Sequence, residues 1–420
     1  MEARSGPSSY IQMNKALCTG CVLCMNACPT KAIRVRNGKA TRVGSRCIDC
    51  GECIRACPKG AIKAVTTWSG EAGLSPYSVV GASPVLYAQF GNEVMPNDIL
   101  IALRKIFNYV YDQAYAHELY NAVTELYIKG KREKEEAIWP LISPACPVVN
   151  RLIALRFPSL LQHLLPFIPP REIAAREMRR RFRQKKIFGD HEAAIYHVSP
   201  CAAKMISIQA PMFTEKSYLS GALGINEIYD LVTKHLGEED EDLILHVSSG
   251  VGVGWGMSGG EIAGLEDVAC LAVSGMQETI RYLEKIEMGL FRNIEYFEFR
   301  SCREGCIGGP LTVADKYQAK GILQKFGRMF GHGKRVRRSQ VLKAYQDGVF
   351  LKETQAISTV KDEKRLSIAE AIARQDRVES ILRKLPGKEC GQCGSPDCRT
   401  FAEDVADGQV KQESCFLLRA

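Results

Sequence analysis

The chain has 420 residues, 46% of them hydrophobic and 25% charged, with a net charge of +9 and 17 cysteines. This length can supply two to four domains with at least one sizeable core, and the composition is that of an ordinary globular protein. No stretch approaches 18 apolar residues and the first 18 residues hold no apolar signal core, so neither a membrane span nor secretion is expected and the cytoplasm is the expected compartment. Cysteines in such a chain, at metal spacings, read as metal ligands and not as disulfides.

Residues 1–68 form the first expected domain, an α+β unit with an internal repeat. Cys18, Cys21, Cys24 and Cys28 precede Pro29, and Cys47, Cys50, Cys53 and Cys57 precede Pro58. Both copies match the bacterial two-cluster ferredoxin run, in which the fourth cysteine ligates the other cluster. The expected sets are therefore Cys18, Cys21, Cys24 and Cys57 for one 4Fe–4S cluster, and Cys28, Cys47, Cys50 and Cys53 for the second. Zinc is the competing reading, disfavoured by the doubled pattern.

Residues 69–310 alternate short apolar runs with amphipathic stretches: SVVGA then PVLYAQF, AIWPLI then CPVVNRLIAL, AIYHV then CAAKMISI, and DLILHV before a glycine-rich turn. Alternation of this kind predicts parallel βαβ units. Three presumed strands end in Ser-Pro (Ser83-Pro84, Ser143-Pro144 and Ser199-Pro200), which predicts a capped helix start after each. Two of these turns place Cys146 and Cys201 in the first helical turn, where the helix dipole favours a thiolate.

Residues 176–186, REMRRRFRQKK, are strongly basic. They read as a solvated helical face or a docking patch for an acidic partner, and nucleic acid is not expected because no recognition motif follows. Gly254, Gly256 and Gly259 formally meet a dinucleotide fingerprint, but a lone match is weak. Cys270 reads as a core residue. Residues 311–380 are expected as a basic helical linker, whose last helix stops at Pro386 and Gly387. Residues 381–420 carry Cys390, Cys393, Cys398 and Cys415, a pattern that resembles a small α-rich 4Fe–4S domain, with a zinc knuckle as the alternative.

Four cysteines remain outside these runs: Cys146, Cys201, Cys302 and Cys306. Taken singly, a buried structural role fits Cys146 or Cys201. Cys302 and Cys306 are spaced to share one helical face, with Gly305, Gly308 and Gly309 allowing close approach of a bulky ligand. Taken together, SPACP (143–147), SPCAAK (199–204) and SCREGCIGG (301–309) resemble the three signature loops of FeFe hydrogenases, in the same order and behind the same kind of ferredoxin-like domain.

That resemblance implies an α/β catalytic domain with two parallel-sheet lobes around an H-cluster. The four cysteines would hold its 4Fe–4S part, and Cys306 would also bridge to a two-iron subsite carrying CO, cyanide and azadithiolate. Lys204 would contact a cyanide, while Ser83, Pro84, Pro200 and Trp255 would line the cofactor pocket. H2 and protons, a redox or signalling protein and subsite maturation proteins are the implied partners. Departures from the family pattern are informative. Ala145 stands where the family has a proton-shuttling cysteine, and a methyl group carries no proton. Glu125 keeps one relay position, but Ala122 and Leu165 replace polar relay residues, and Ser199 and Arg300 replace methionines. Glu261 and Glu298 are candidates for another proton route, or ordinary polar residues.

The combination looks like the sensory FeFe hydrogenases, in particular group D, and implies slow reversible hydrogen oxidation with electrons passed through three accessory clusters. The competing expectation is a hydrogenase-related iron–sulfur scaffold or electron-transfer protein without the two-iron subsite.

Overall fold

In the computed structural model, residues 9–133, 138–237, 243–354 and 367–418 are described. The chain divides into two units, residues 1–64 with 360–420, and residues 65–359. The expected linker at 311–380 is therefore shared between the two units. Among the described residues no helix is long and apolar enough to cross a membrane.

In the first unit, β1 (Ile11–Met13) is followed by β2 (Ile33–Arg36), β3 (Lys39–Arg42) and β4 (Ile62–Ala64). β1 pairs antiparallel with β4, and β2 pairs with β3 across the tight turn Asn37-Gly38. Both turn residues have positive φ, 51° and 70°, which is the reason for Asn-Gly at that position. Helices Ile368–Lys384 and Cys398–Ala406 from the C-terminal segment pack on each other through Val378, Ile381 and Phe401. This segment is tied to β2. Asp404 takes two hydrogen bonds from Arg34, at 2.6 and 3.0 Å, and one from Arg36 at 2.7 Å.

The strands of the second unit are β5 (Ser78–Ala82), β6 (Tyr109–Asp112), β7 (Leu141–Ile142), β8 (Ala194–Ser199), β9 (Gly221–Gly224), β10 (Cys270–Ser274) and β11 (Tyr296–Arg300). They make two parallel sheets, in the orders β6-β5-β8-β9 and β10-β11-β7. Parallel strands covered on both faces read as continuous apolar runs, as SVVGA and AIYHV do. The first sheet meets Leu100, Leu103, Ile228, Val232, Leu323 and Phe326 in a fully buried core.

Three local expectations are corrected. DLILHV forms no strand over its described residues 243–247. The amides of Leu245 and His246 donate to Asn97 and those of Val247 and Ser248 to Asp112, so side chains replace a ladder. PVLYAQF forms a 3₁₀ turn over Pro84–Ala88. The helix Lys316–Phe330 is part of the core of the second unit and not a linker, because its Ala319, Leu323 and Phe326 are buried there.

Leu323→Ala should lower the unfolding free energy by about 2–5 kcal/mol. Thermal unfolding of the metal-free protein measures this, and a near-neutral result would mean that the helix only rests on the surface.

Candidate functional site

Three of the four unassigned cysteines follow the carboxyl ends of parallel strands, where open α/β sheets bind ligands. Cys146 follows β7, Cys201 follows β8 and Cys302 follows β11. Cys146 is itself the N-cap of helix Pro147–Arg156, and Cys201 precedes helix Ala203–Gln209. Neither lies inside the first turn. Ser143 and Ser199 have other tasks, whereas Ser83 does sit at the N-cap position before Pro84. The Ser199 hydroxyl donates to the Cys201 carbonyl at 2.8 Å and accepts from the Cys201 amide, so it shapes the loop.

Cys302 and Cys306 do not share a helical face. A turn separates them, with Glu304 at φ 63° and Gly305 at φ 88°, and Cys306 opens the 3₁₀ turn Cys306–Gly308. The three glycines of this loop admit protein backbone. A Cβ would lie 2.5 Å from the Ser258 amide nitrogen at Gly305, 2.2 Å from the Arg303 carbonyl at Gly308 and 2.3 Å from the Pro200 carbonyl at Gly309. Pro200 thus locks the second loop to the third, and its carbonyl also accepts from the Leu311 amide. The Cys306 amide donates to the Gly256 carbonyl at 2.8 Å, beside Trp255.

The cysteines come together. The Cys146 sulfur lies 3.6 Å from the Ser301 hydroxyl, which lies 4.0 Å from the Cys302 sulfur. Burial pushes the Cys201 thiol up, opposed by Lys204 and reinforced by Cys306 and Cys146 nearby. Three cations face this group, Arg171 and Arg300 buried and Lys204 partly buried. Burial pulls Lys204 and Arg171 below their usual range, while Cys306 and Cys201 oppose it at Lys204, and Glu172, Cys201, Cys146 and Cys306 oppose it at Arg171. Arg300 also feels Cys306 and Cys146. Lys204 Nζ sits 3.0 Å from His197 Nε2, and burial holds His197 and His117 neutral.

Arg171 Nε and Arg300 Nη1 are buried without a hydrogen-bond partner. Buried donors of that kind call for an acceptor, and a cluster of thiolate-bound iron and sulfide with anionic ligands is one. The side chains therefore fit the cofactor that the sequence implies.

Behind Ala145 lies a sealed polar network. The Ala145 amide donates to the Ser143 hydroxyl at 3.2 Å, and that hydroxyl donates to both carboxylate oxygens of Glu261, at 2.9 and 3.0 Å. Glu261 also accepts from Tyr296 at 2.6 Å and from Arg300 at 2.7 Å. Glu298 accepts from the amides of Gly259, Glu261 and Ile262. Burial pushes the Glu298 carboxyl up to about 7 against the pull of Arg300. The Arg300 guanidinium lies 4.5 Å over the Trp255 ring, which stacks on His117 and donates to Asn121.

Other candidates fall elsewhere. Glu125 is ion-paired with Lys129 at 2.8 Å and Lys334 at 3.0 Å; burial pushes its carboxyl up, but those partners hold it below the usual range. Ser83 and Pro84 stand behind the pocket, where the turn Pro84–Ala88 packs against Cys306–Gly308. Cys270 is only partly buried, and burial pushes its thiol up to about 12. The glycine-rich run forms the short helix Gly250–Gly254 with no strand before it, so it is not a dinucleotide turn. Sequence reasoning missed Arg171, His117, His197, Asn121 and Tyr296. Their sole signal was a polar residue in an apolar setting, as in IPPREIA.

In the first unit, the cysteine sets line three separate cavities. One of about 450 Å³ holds Cys18, Cys21, Cys24 and Cys57. Another, of about 350 Å³, holds Cys28, Cys47, Cys50 and Cys53. The third, also about 350 Å³, holds Cys390, Cys393, Cys398 and Cys415. The crossing of the fourth cysteines is thus a geometric fact of the chain. Burial raises Cys24 to about 11, followed by repulsion from Cys18, Cys21 and Cys57.

Arg300→Met leaves Glu261 buried without its cation and should cost about 3–5 kcal/mol in unfolding free energy. Adding Glu261→Gln should recover part of that loss, and strict additivity in denaturant titrations would rule the pairing out. Glu298 binds its proton more tightly when folded, about 7 against an ordinary 4.5. Its contribution to stability should therefore fall as pH rises across that interval, and Glu298→Gln should flatten the slope.

The family of the iron-only hydrogenase large subunit, C-terminal domain, matches residues 77–269. The 4Fe-4S dicluster domain family matches residues 17–62, and an Fe-S cluster family matches residues 385–416. Cys302 and Cys306 lie beyond the hydrogenase match, and the fold alone brings them to the site. Among solved structures, a variant of the [FeFe]-hydrogenase HydA1 from Chlamydomonas reinhardtii is 14% identical, with TM-score 0.51, over 66% of this chain and 92% of that one. An apo variant of the same enzyme gives 13% identity and TM-score 0.52 over the same shares. Likeness at this identity speaks for the fold. The corrinoid/iron-sulfur protein large subunit of Moorella thermoacetica is 46% identical over 35 residues, 8% of this chain and 8% of that protein's length. The chain is an FeFe-hydrogenase-like iron–sulfur protein, whose residues 77–269 match the iron-only hydrogenase large subunit, C-terminal domain.

Proposed function

We propose that the second unit binds an H-cluster and turns hydrogen over slowly, as a hydrogen or redox sensor that passes electrons through three accessory 4Fe–4S clusters. The observation that carries this reading is the convergence of four cysteines on three cations, two of which are buried and keep a free donor. Cys146, Cys201, Cys302 and Cys306 would hold the 4Fe–4S part, with Cys306 bridging to the two-iron subsite. When bound, that subsite is where H2 and the pair of two protons and two electrons interconvert.

Lys204, oriented by His197, balances the negative charge of the cofactor in a dry pocket. Ala145 sets the pace. Its methyl can neither take a proton nor release one, so transfer must cross a gap to the Ser143 hydroxyl. The Glu261 carboxyl accepts from Arg300, Tyr296 and Ser143, so both its oxygens are committed to these partners. Glu298, whose carboxyl titrates near neutrality, is the better store for a proton. A slow cycle suits a sensor. The cytoplasm is the proposed compartment, with maturation proteins and a redox or signalling protein as partners; the basic helix Pro170–Lys185 suits an acidic one.

A scaffold without the two-iron subsite is the second reading. It draws on Arg300, a fixed buried charge in a position where the resemblance expects methionine. Loading the protein with a synthetic two-iron subsite separates the two. CO and cyanide infrared bands that move under hydrogen are expected, and their absence would favour the scaffold. Ala145→Cys should raise hydrogen uptake of the loaded protein by about 10²–10⁴-fold. An unchanged rate would show that proton delivery at this position is not limiting.

A further inference from the structure

The C-terminal segment is fastened to one side of the ferredoxin-like domain, and that placement selects a neighbour. Val35 lines the cavity of Cys18, Cys21, Cys24 and Cys57, and its amide donates to the Gly394 carbonyl at 2.8 Å. Gly394 follows Cys393, which lines the C-terminal cavity. A second route starts at Cys24. The next residue, Met25, packs on Gly391, where a Cβ would lie 3.1 Å from the Met25 methyl, and Gly391 follows Cys390. Along both routes, one residue on each side separates the two cavities. Arg36 joins them electrostatically, donating to the Cys393 carbonyl at 2.7 Å and to Ser395 at 2.8 Å.

The links toward Cys28, Cys47, Cys50 and Cys53 are longer. The ion pairs Lys31–Asp397 and Arg46–Glu403 each interpose two full side chains, and the Lys31 side chain is half exposed. Electron transfer between buried clusters falls steeply with the path through intervening atoms, so the shorter route dominates.

We propose that the C-terminal cluster exchanges electrons directly with the cluster held by Cys18, Cys21, Cys24 and Cys57, and not with the one held by Cys28, Cys47, Cys50 and Cys53. The proposal rests on the cluster assignments above. The step moves one electron from the reduced to the oxidised member of the pair, with no bond made or broken. The segment 367–418 is then a redox port on the first ferredoxin-like cluster, bound by Asp404 and the Gly391–Gly394 loop.

The test is stepwise reduction of the whole iron-loaded chain followed by electron paramagnetic resonance, with Cys21→Ser and Cys50→Ser identifying the two ferredoxin-like signals. Reduction of the C-terminal cluster should broaden the Cys18-set signal more than the other. Gly394→Val places a Cβ 1.7 Å from the Val35 carbonyl and should abolish that broadening with iron content retained. Arg36→Leu removes a cation beside Cys393 and should lower the midpoint potential of the C-terminal cluster while leaving the Cys47-set cluster unmoved. Equal or greater broadening of the Cys47-set signal would overturn the proposal, as would full broadening in Gly394→Val. If Gly394→Val loses iron, the wild-type broadening and the Arg36→Leu shift decide. Absence of a third cluster signal in the wild type would instead overturn the cluster assignment beneath the proposal.

Discussion

The buried contact between Glu261 and Arg300 ties the second unit together. Arg300 ends β11 immediately before the Cys302 loop, Ser143 opens the Cys146 loop, and Glu261 closes the glycine-rich segment that carries Trp255. One carboxylate therefore joins three segments, bonding to a residue 118 positions away at Ser143 and 39 positions away at Arg300. Its three donors satisfy it without water, and Arg300 places its remaining charge over Trp255 and toward the cysteines. A hydrophobic replacement could fill the same volume, but it could not set the relative position of the loops with such directional bonds.

That contact also frames the chemistry. A proton passing inward along Ser143 would have to disturb the contacts that Glu261 makes with Arg300 and Tyr296, and it would then meet a methyl at Ala145. The same contacts that stabilise the pocket leave a methyl, which has no proton to give, at its inner end. Lys204 and Arg171 differ in that their charges lie toward the cysteines, Cys201 and Cys306 among them, where little water can screen them.

Much of this was legible beforehand. Cysteine spacing is a local property, and each of the three cysteine sets lines a cavity of its own because short loops of this spacing turn their thiols to one side. The parallel sheets were legible as well, since SVVGA and AIYHV are strands buried on both faces. Less visible was anything that depends on contacts between distant segments. DLILHV resembles a strand in composition, but Asn97 and Asp112 take its amides. The helix Lys316–Phe330 looks like a basic linker until its apolar stripe is seen inside the core.

The sequence by itself determined which residues can bind iron and sulfide, and that a methyl replaces the expected proton carrier at 145, because both are matters of side-chain chemistry and short-range spacing. Only the tertiary structure decided that Cys302 and Cys306 face Cys146 and Cys201 across a turn and not along a helix. It also decided that Arg300 clamps Glu261, and that the C-terminal cysteines sit against β2. Those outcomes depend on side-chain and backbone contacts between segments hundreds of residues apart in places, such as Arg34 and Asp404. No local pattern encodes such a contact. Only packing to native density selects it from the other partners that each charge could have found.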